Sequence, residues 1–142
     1  MLTYQSSVSI DRGPEAVFPY FVEPAKQSQW SDVQMRRLTD PPFGPGSRME
    51  VTFGMGPMKA KIGLEITELE TNRRMTWTSF SGPIRWAGEY NLEPSGAGTL
   101  VSQRGTLTFT GLWRLLEPII GAEIRSGEEK ELEKLKALVE AA

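Results

Sequence analysis

MKAKIGLEITELETNRRMTWTSFSGPIRWAGEYNLEPSGAGTLVSQRGTLTF, residues 58–109, consists of four runs of alternating side chains separated by turns. Residues 58–69 put Met58, Ala60, Ile62, Leu64 and Ile66 on one face, and Lys59, Lys61, Gly63, Glu65 and Thr67 on the other. Residues 73–80 put Met75, Trp77 and Ser79 on one face. Residues 84–92 do the same with Ile84, Trp86, Gly88, Tyr90 and Leu92, and residues 99–109 with Val101, Gln103, Gly105, Leu107 and Phe109. A period of two over this many residues predicts strands. The turns at residues 71–72, 81–83 and 94–98 are too short for crossover helices, so the strands pair antiparallel and in sequence. One face is apolar and the other polar, as expected of a sheet covered on one side only.

Upstream, residues 47–54 continue the pattern with Met49, Val51 and Phe53 on one face. The loop at residues 40–46 contains three prolines and two glycines, and residues 33–39 form a further candidate strand. Residues 3–10 also read as a strand, marked by Tyr4, Val8 and Ile10. Between them, residues 14–22 predict a short helix that Pro19 kinks, and residues 24–31 a second one anchored by Trp30. The cover for the sheet must come from residues 112–142. These are helix-like, with apolar positions 112, 115, 116, 119, 120, 124, 132, 135, 138 and 139, and Pro118 separates a lead-in turn from the long helix. The prediction is one α+β domain over residues 1–142, without repeats or linkers.

Composition excludes several chemistries. The chain has no cysteine and no histidine, which removes thiol chemistry, Ser-His-Asp triads and His-ligated zinc. The net charge is -2 with both signs interspersed, so binding to nucleic acid by phosphate neutralisation is not expected. The pair Gly54 and Gly56 suggests a phosphate loop only superficially, because position 59 is Lys and a strand follows. The acidic residues lack calcium-loop spacing, so no metal or cofactor is expected. No signal peptide or membrane-spanning run is visible, and the chain reads as cytoplasmic, either monomer or homodimer.

Three stretches carry a family resemblance: VSI at residues 8–10 running into PEAVF at 14–18 and then Trp30; GTLV at residues 98–101; and LEKLK at residues 132–136 followed by Glu140. Together they resemble the START-like (SRPBCC) superfamily, in its polyketide cyclase/dehydrase and lipid-transport branch. The resemblance implies a helix-grip fold, a curved antiparallel sheet of about seven strands around the C-terminal helix, with a hydrophobic cavity between them. Its members include lipid carriers, cyclases and metabolite binders.

Under that fold the inward positions are candidates for a ligand site. Phe53, Ile62, Leu64, Trp77, Trp86 and Tyr90 would line it from the sheet, and Ile120 and Ile124 from the helix. Each reads as plain core when taken singly. Ser79 and Gln103 are polar residues on the same face, either bonded within the protein or anchoring a ligand. An unbroken helix puts Glu128 and Glu131 on the stripe of Ile120, Ile124, Leu135 and Leu138. Those carboxylates could act as general acids or pair with Arg48, Arg85 or Arg104, while a restart at Ser126 would change their phase. Gly121 and Gly127 near that stripe either widen the cavity or bend the helix.

Three functions are compatible with these residues. The first is binding of a small hydrophobic or aromatic molecule: a lipid, a polyketide-like compound or an isoprenoid. The second is a cyclase or dehydratase acting on such a molecule, with Glu128, Glu131, Tyr90 or Arg104 as acids or bases. The third is a partner-binding module, which requires an exposed apolar patch and is disfavoured by the polar outer strand faces.

Overall fold

The alternating runs are strands, and they close in the order the turns dictate. The computed structural model describes residues 1–31, 34–40, 42–55 and 57–142, without the side chains at 34, 53–55, 58, 123, 125, 126, 128 and 129. Strand β1 (Leu2–Ile10) is followed by α1 (Pro14–Val17), α2 (Pro19–Val22) and α3 (Pro24–Gln27). Next come β2 (Gln34–Arg37), β3 (Arg48–Met55), β4 (Met58–Glu70), β5 (Arg74–Ser81), β6 (Ile84–Ser95) and β7 (Gly98–Phe109). A 3-10 turn at Gly111–Leu116 leads into α4 (Glu117–Ala141). The seven strands form one antiparallel sheet in the order β1-β7-β6-β5-β4-β3-β2. This is the helix-grip arrangement expected from the sequence.

Three local features depart from the expectation. Pro19 does not kink a helix but ends one, so α1, α2 and α3 are single turns, each starting on a proline. A proline at the first position lacks only an N–H that would be unpaired there anyway. Strand β6 runs on through Pro94, which pairs with Thr99 in the β6–β7 hairpin. The Leu92 N–H points to the carbonyl of Arg73, just before β5 starts, so two residues on Pro94 faces no strand and deprives none of a donor. Strand β4 is irregular at two places, between Gly63 and Leu64 and between Ile66 and Glu68, and such shifts bend and twist a sheet.

The inner face is buried as the alternation predicts. Ile62, Leu64 and Ile66 of β4 are buried, as are Met75 and Trp77 of β5, and Val101, Gln103, Leu107 and Phe109 of β7. Helix α4 is continuous through Ser126 and Gly127, so no restart occurs there. It buries Ile120 and Gly121 near its start and Leu132, Leu135 and Val139 near its end. Leu112, Leu115 and Ile119, expected on the core stripe, are instead 82%, 77% and 57% exposed. Leu112 and Leu115 lie in the 3-10 turn, whose three residues per turn break the α-helical phase, and Ile119, in the first turn of α4, stands one residue off the buried position of Ile120.

The C-terminal turns of α4 are clasped to the end of β1. Glu140 accepts the backbone N–H of Asp11 at 2.7 Å and pairs with Lys136 at 3.0 Å. Arg12 donates to the Glu140 carbonyl at 2.6 Å, and Lys136 donates to the carbonyl of Ser9. The Asp11 N–H, then Lys136 and Arg12, hold the Glu140 carboxyl below its ordinary value. A lowered carboxyl pKa contributes stability above the ordinary value of 4.5, and that contribution is lost as pH falls through the lowered one. Hydrogen-exchange protection in the last two turns of α4 should therefore fall on acidification below about pH 4.5, before protection of the sheet does. In Glu140→Gln that protection should be lower at neutral pH and the acid step absent. An acid step of wild-type size in the variant would refute the assignment.

Candidate functional site on the inner face

Two glycines set the geometry of the inner face. Gly88 of β6 and Gly105 of β7 stand opposite each other in the register. A Cβ at Gly88 would collide with the Trp77 indole, and one at Gly105 with the Tyr4 phenol. Both rings thus rest on bare backbone, which only glycine leaves open. The Trp86 Nε1 donates to the Tyr4 hydroxyl at 2.9 Å, and Trp86 stands edge-on to Trp77 with ring centroids 5.6 Å apart. The row continues from Trp77 to Tyr90 at 4.8 Å, and from Tyr90 to Phe21 at 4.4 Å and Trp30 at 6.0 Å. The short helices therefore attach to the sheet through Phe21 and Trp30, and Trp30 Nε1 is satisfied by the Tyr20 carbonyl at 2.9 Å.

Most polar groups on this face have partners inside the protein. Ser79 accepts the backbone N–H of Trp86 at 2.9 Å, and the buried Gln103 donates to Ser6 at 3.3 Å. Trp77 Nε1 is the exception: it is buried and has no hydrogen-bond acceptor among the described residues, in a side chain only 5% exposed. A buried donor without an acceptor costs about 1–3 kcal/mol.

The cover over this face is incomplete in its middle. Ser79 and Trp86 point inward yet are half-buried, and so are Ile124, Gly127 and Glu131 of α4. A Cβ at Gly121 would stand 3.3 Å from Leu2, whereas one at Gly127 meets nothing within 4 Å. Gly121 thus marks close packing on β1 and Gly127 faces open space, and α4 runs continuously through both.

Of the other expected site residues, Ile62, Leu64 and Ile120 are buried in the core. The side chains of Phe53 and Glu128 lie outside the described residues. Arg104 is on the opposite face of the sheet and cannot act with the inward groups. It pairs there with Glu89, which Arg74 also holds at 2.8 Å. Arg48 pairs with Glu65 at 3.0 Å on the outer face as well, and so does not meet the helix carboxylates. Glu89, only 7% exposed, was not foreseen, because alternation assigns it to solvent and says nothing of two arginines closing over it. Around it the outer face holds a shallow groove of about 640 Å³ lined by Thr3, Gln5, Thr76, Thr78, Ala87 and Thr106.

Comparison with known proteins agrees with this geometry. The family described as polyketide cyclase/dehydrase and lipid transport matches residues 1–140. Among solved structures, TTHA0849 from Thermus thermophilus is 20% identical, with a TM-score of 0.80 over 98% of this chain and 97% of that one. CV1439 from Chromobacterium violaceum is 21% identical, with a TM-score of 0.71 over 97% of this chain and 96% of its own. Ara h 8.0201 is 13% identical, with a TM-score of 0.66 over 99% of this chain and 98% of its own. At these identities the likeness is one of fold. Among curated proteins, none matches the chain in sequence.

The glycine pair gives a direct test of the inner-face packing. Gly88→Ala should lower stability by about 1–3 kcal/mol, the usual cost of forcing an atom into a filled core. Thermal or urea unfolding measures it, and near-ultraviolet circular dichroism should show a changed tryptophan signal. An unchanged midpoint would mean that the Trp77 ring does not rest on this backbone.

Proposed function

The chain belongs to the polyketide cyclase/dehydrase and lipid-transport family, and we propose that it binds a small, mainly apolar molecule carrying a hydrogen-bond acceptor between the sheet and α4. The unpaired Nε1–H of Trp77 carries this reading. In an interior where the neighbouring polar groups are matched, a lone donor beside aromatic rings suits a carbonyl, ether or hydroxyl oxygen on an otherwise greasy or flat ligand. The half-buried middle of α4 and the open space at Gly127 support a gap there. Polyketide-like, isoprenoid and lipid ligands all have this chemistry. Family membership supports either binding or cyclisation as the role.

A second reading, catalysis on the same ligand, has one observation in its favour. Glu131 is a half-buried carboxylate on the helix face that looks toward the sheet. It could move a proton on a bound substrate, with Tyr90 as a candidate weak acid on the sheet. If turnover of a polyketide-like substrate survives both Glu131→Gln and Tyr90→Phe, catalysis by these groups is excluded.

The binding reading is tested with an apolar fluorescent probe bearing a carbonyl, titrated into wild type and two variants. Trp77→Phe keeps an aromatic ring and removes the donor, so binding should weaken about fivefold, the worth of one hydrogen bond, while the smaller ring leaves a cavity in the core and lowers stability by about 1–3 kcal/mol. Gly127→Leu fills the open space and should abolish binding, while the better helix former stabilises α4 by up to about 1 kcal/mol. Wild-type affinity in both variants would sink the proposal.

A further inference from the structure

We infer that one end of the molecule docks on an anionic lipid surface. The register brings the start of β1, the end of β5, the start of β6 and the end of β7 to the same end of the sheet, since Leu2 pairs with Leu107 and Ile84 with Phe109. Strand β4 also starts there, because Gly63 pairs with Ser81 at the last residue of β5. From this end the 3-10 turn projects Leu112 and Leu115, and the first turn of α4 adds Ile119. These three side chains are 82%, 77% and 57% exposed, and Met1 beside them is 82% exposed. Trp113 and Leu116 hold the same turn against the core. The apolar residues are thus displayed on an anchored segment and are not a frayed end.

Charge at this end selects the occupant. Lys59 and Lys61 on β4, Arg85 on β6 and Arg114 on the turn are all exposed, and none of them has an ion-pair partner among the described residues. Glu117 is already neutralised by the N-terminal ammonium at 3.1 Å. Elsewhere on the sheet the pattern is opposite: Arg36, Arg48, Arg74 and Arg104 are each paired with a glutamate. Four exposed cations without an ion-pair partner among the described residues thus share the end of the sheet from which the leucines project, in a chain of net charge -2. Leucines flanked by lysine and arginine suit the boundary between acyl chains and anionic headgroups, where apolar burial and surface potential add. A protein partner would require a defined complementary shape, whereas a short convex turn requires only a soft apolar layer. The inference rests on this surface alone and holds whether or not the interior takes a ligand.

The test is co-sedimentation with vesicles of phosphatidylcholine and phosphatidylserine at about 3:1, set against pure phosphatidylcholine. Wild type should bind the anionic vesicles, less so as salt rises, and bind the neutral ones at least tenfold more weakly. Leu112→Asp with Leu115→Asp should lose binding at least tenfold. Lys59→Glu with Arg114→Glu should lose a similar factor with the leucines intact. All four residues are exposed, so unfolding midpoints should match wild type. Equal binding to both vesicle types, or wild-type binding by the leucine variant, overturns the inference. So does a concentration-dependent dimer that the leucine variant abolishes in the absence of vesicle binding, which would assign the patch to a second copy of the chain.

Discussion

A bare stretch of backbone, where Gly88 faces Gly105 across β6 and β7, underlies the packing of the whole inner face. Any side chain at either position would lift Trp77 or Tyr4 off the sheet. With both rings seated, Trp86 can reach the Tyr4 hydroxyl, Tyr90 can pack on Trp77, and Phe21 and Trp30 can close over Tyr90. The three one-turn helices are far too short to be stable in isolation. Their position follows from where that aromatic row ends. Two residues without side chains thus fix how the segment between β1 and β2 is attached.

The long helix is held in a different way, at its two ends. Near its start, Ile120 is buried and Gly121 closes against Leu2. Near its end, Leu132, Leu135 and Val139 are buried and the Glu140 clasp ties it to Asp11 and Arg12. Each buried leucine contributes about 1.5–3 kcal/mol, so either end alone is a substantial anchor. Between them Ile124, Gly127 and Glu131 are only half-buried. A helix anchored at both ends can leave space under its middle without detaching, which lets a sheet-and-helix core accommodate a guest.

Much of this was legible from the alternation of side chains. Trp77, Tyr90, Leu92, Val101, Gln103 and Leu107 are buried where the two-residue period puts them, because a covered sheet admits only one register. What the pattern could not carry was hydrogen-bond phase. Leu112, Leu115 and Ile119 keep apolar spacing but sit in or just beyond a 3-10 turn, and they face solvent. Glu89 looks like an ordinary outward residue, and its burial depends on Arg74 and Arg104 meeting over it from neighbouring strands. The seats at Gly88 and Gly105 were visible as glycines on an apolar face, but which rings they accept depends on rotamers that no spacing encodes.

The interior's polar inventory narrows what a guest can be. The chain has no histidine, so no side chain with an unperturbed pKa near neutrality lies anywhere in it. The indole N–H of Trp86 is occupied by Tyr4, and that of Trp30 by a backbone carbonyl. Gln103 is tied to Ser6 and Ser79 to the Trp86 backbone. Among the described indoles, the donor of Trp77 is the one that is buried without an acceptor, in an aromatic setting. An anionic guest would need a cationic partner, and the arginines Arg48, Arg74 and Arg104 are all engaged on the other face of the sheet. A neutral molecule with one well-placed acceptor meets no such penalty. The same physics that makes an unpaired donor costly in the empty interior makes it selective for that guest, because the oxygen that satisfies it removes the cost at the moment of binding.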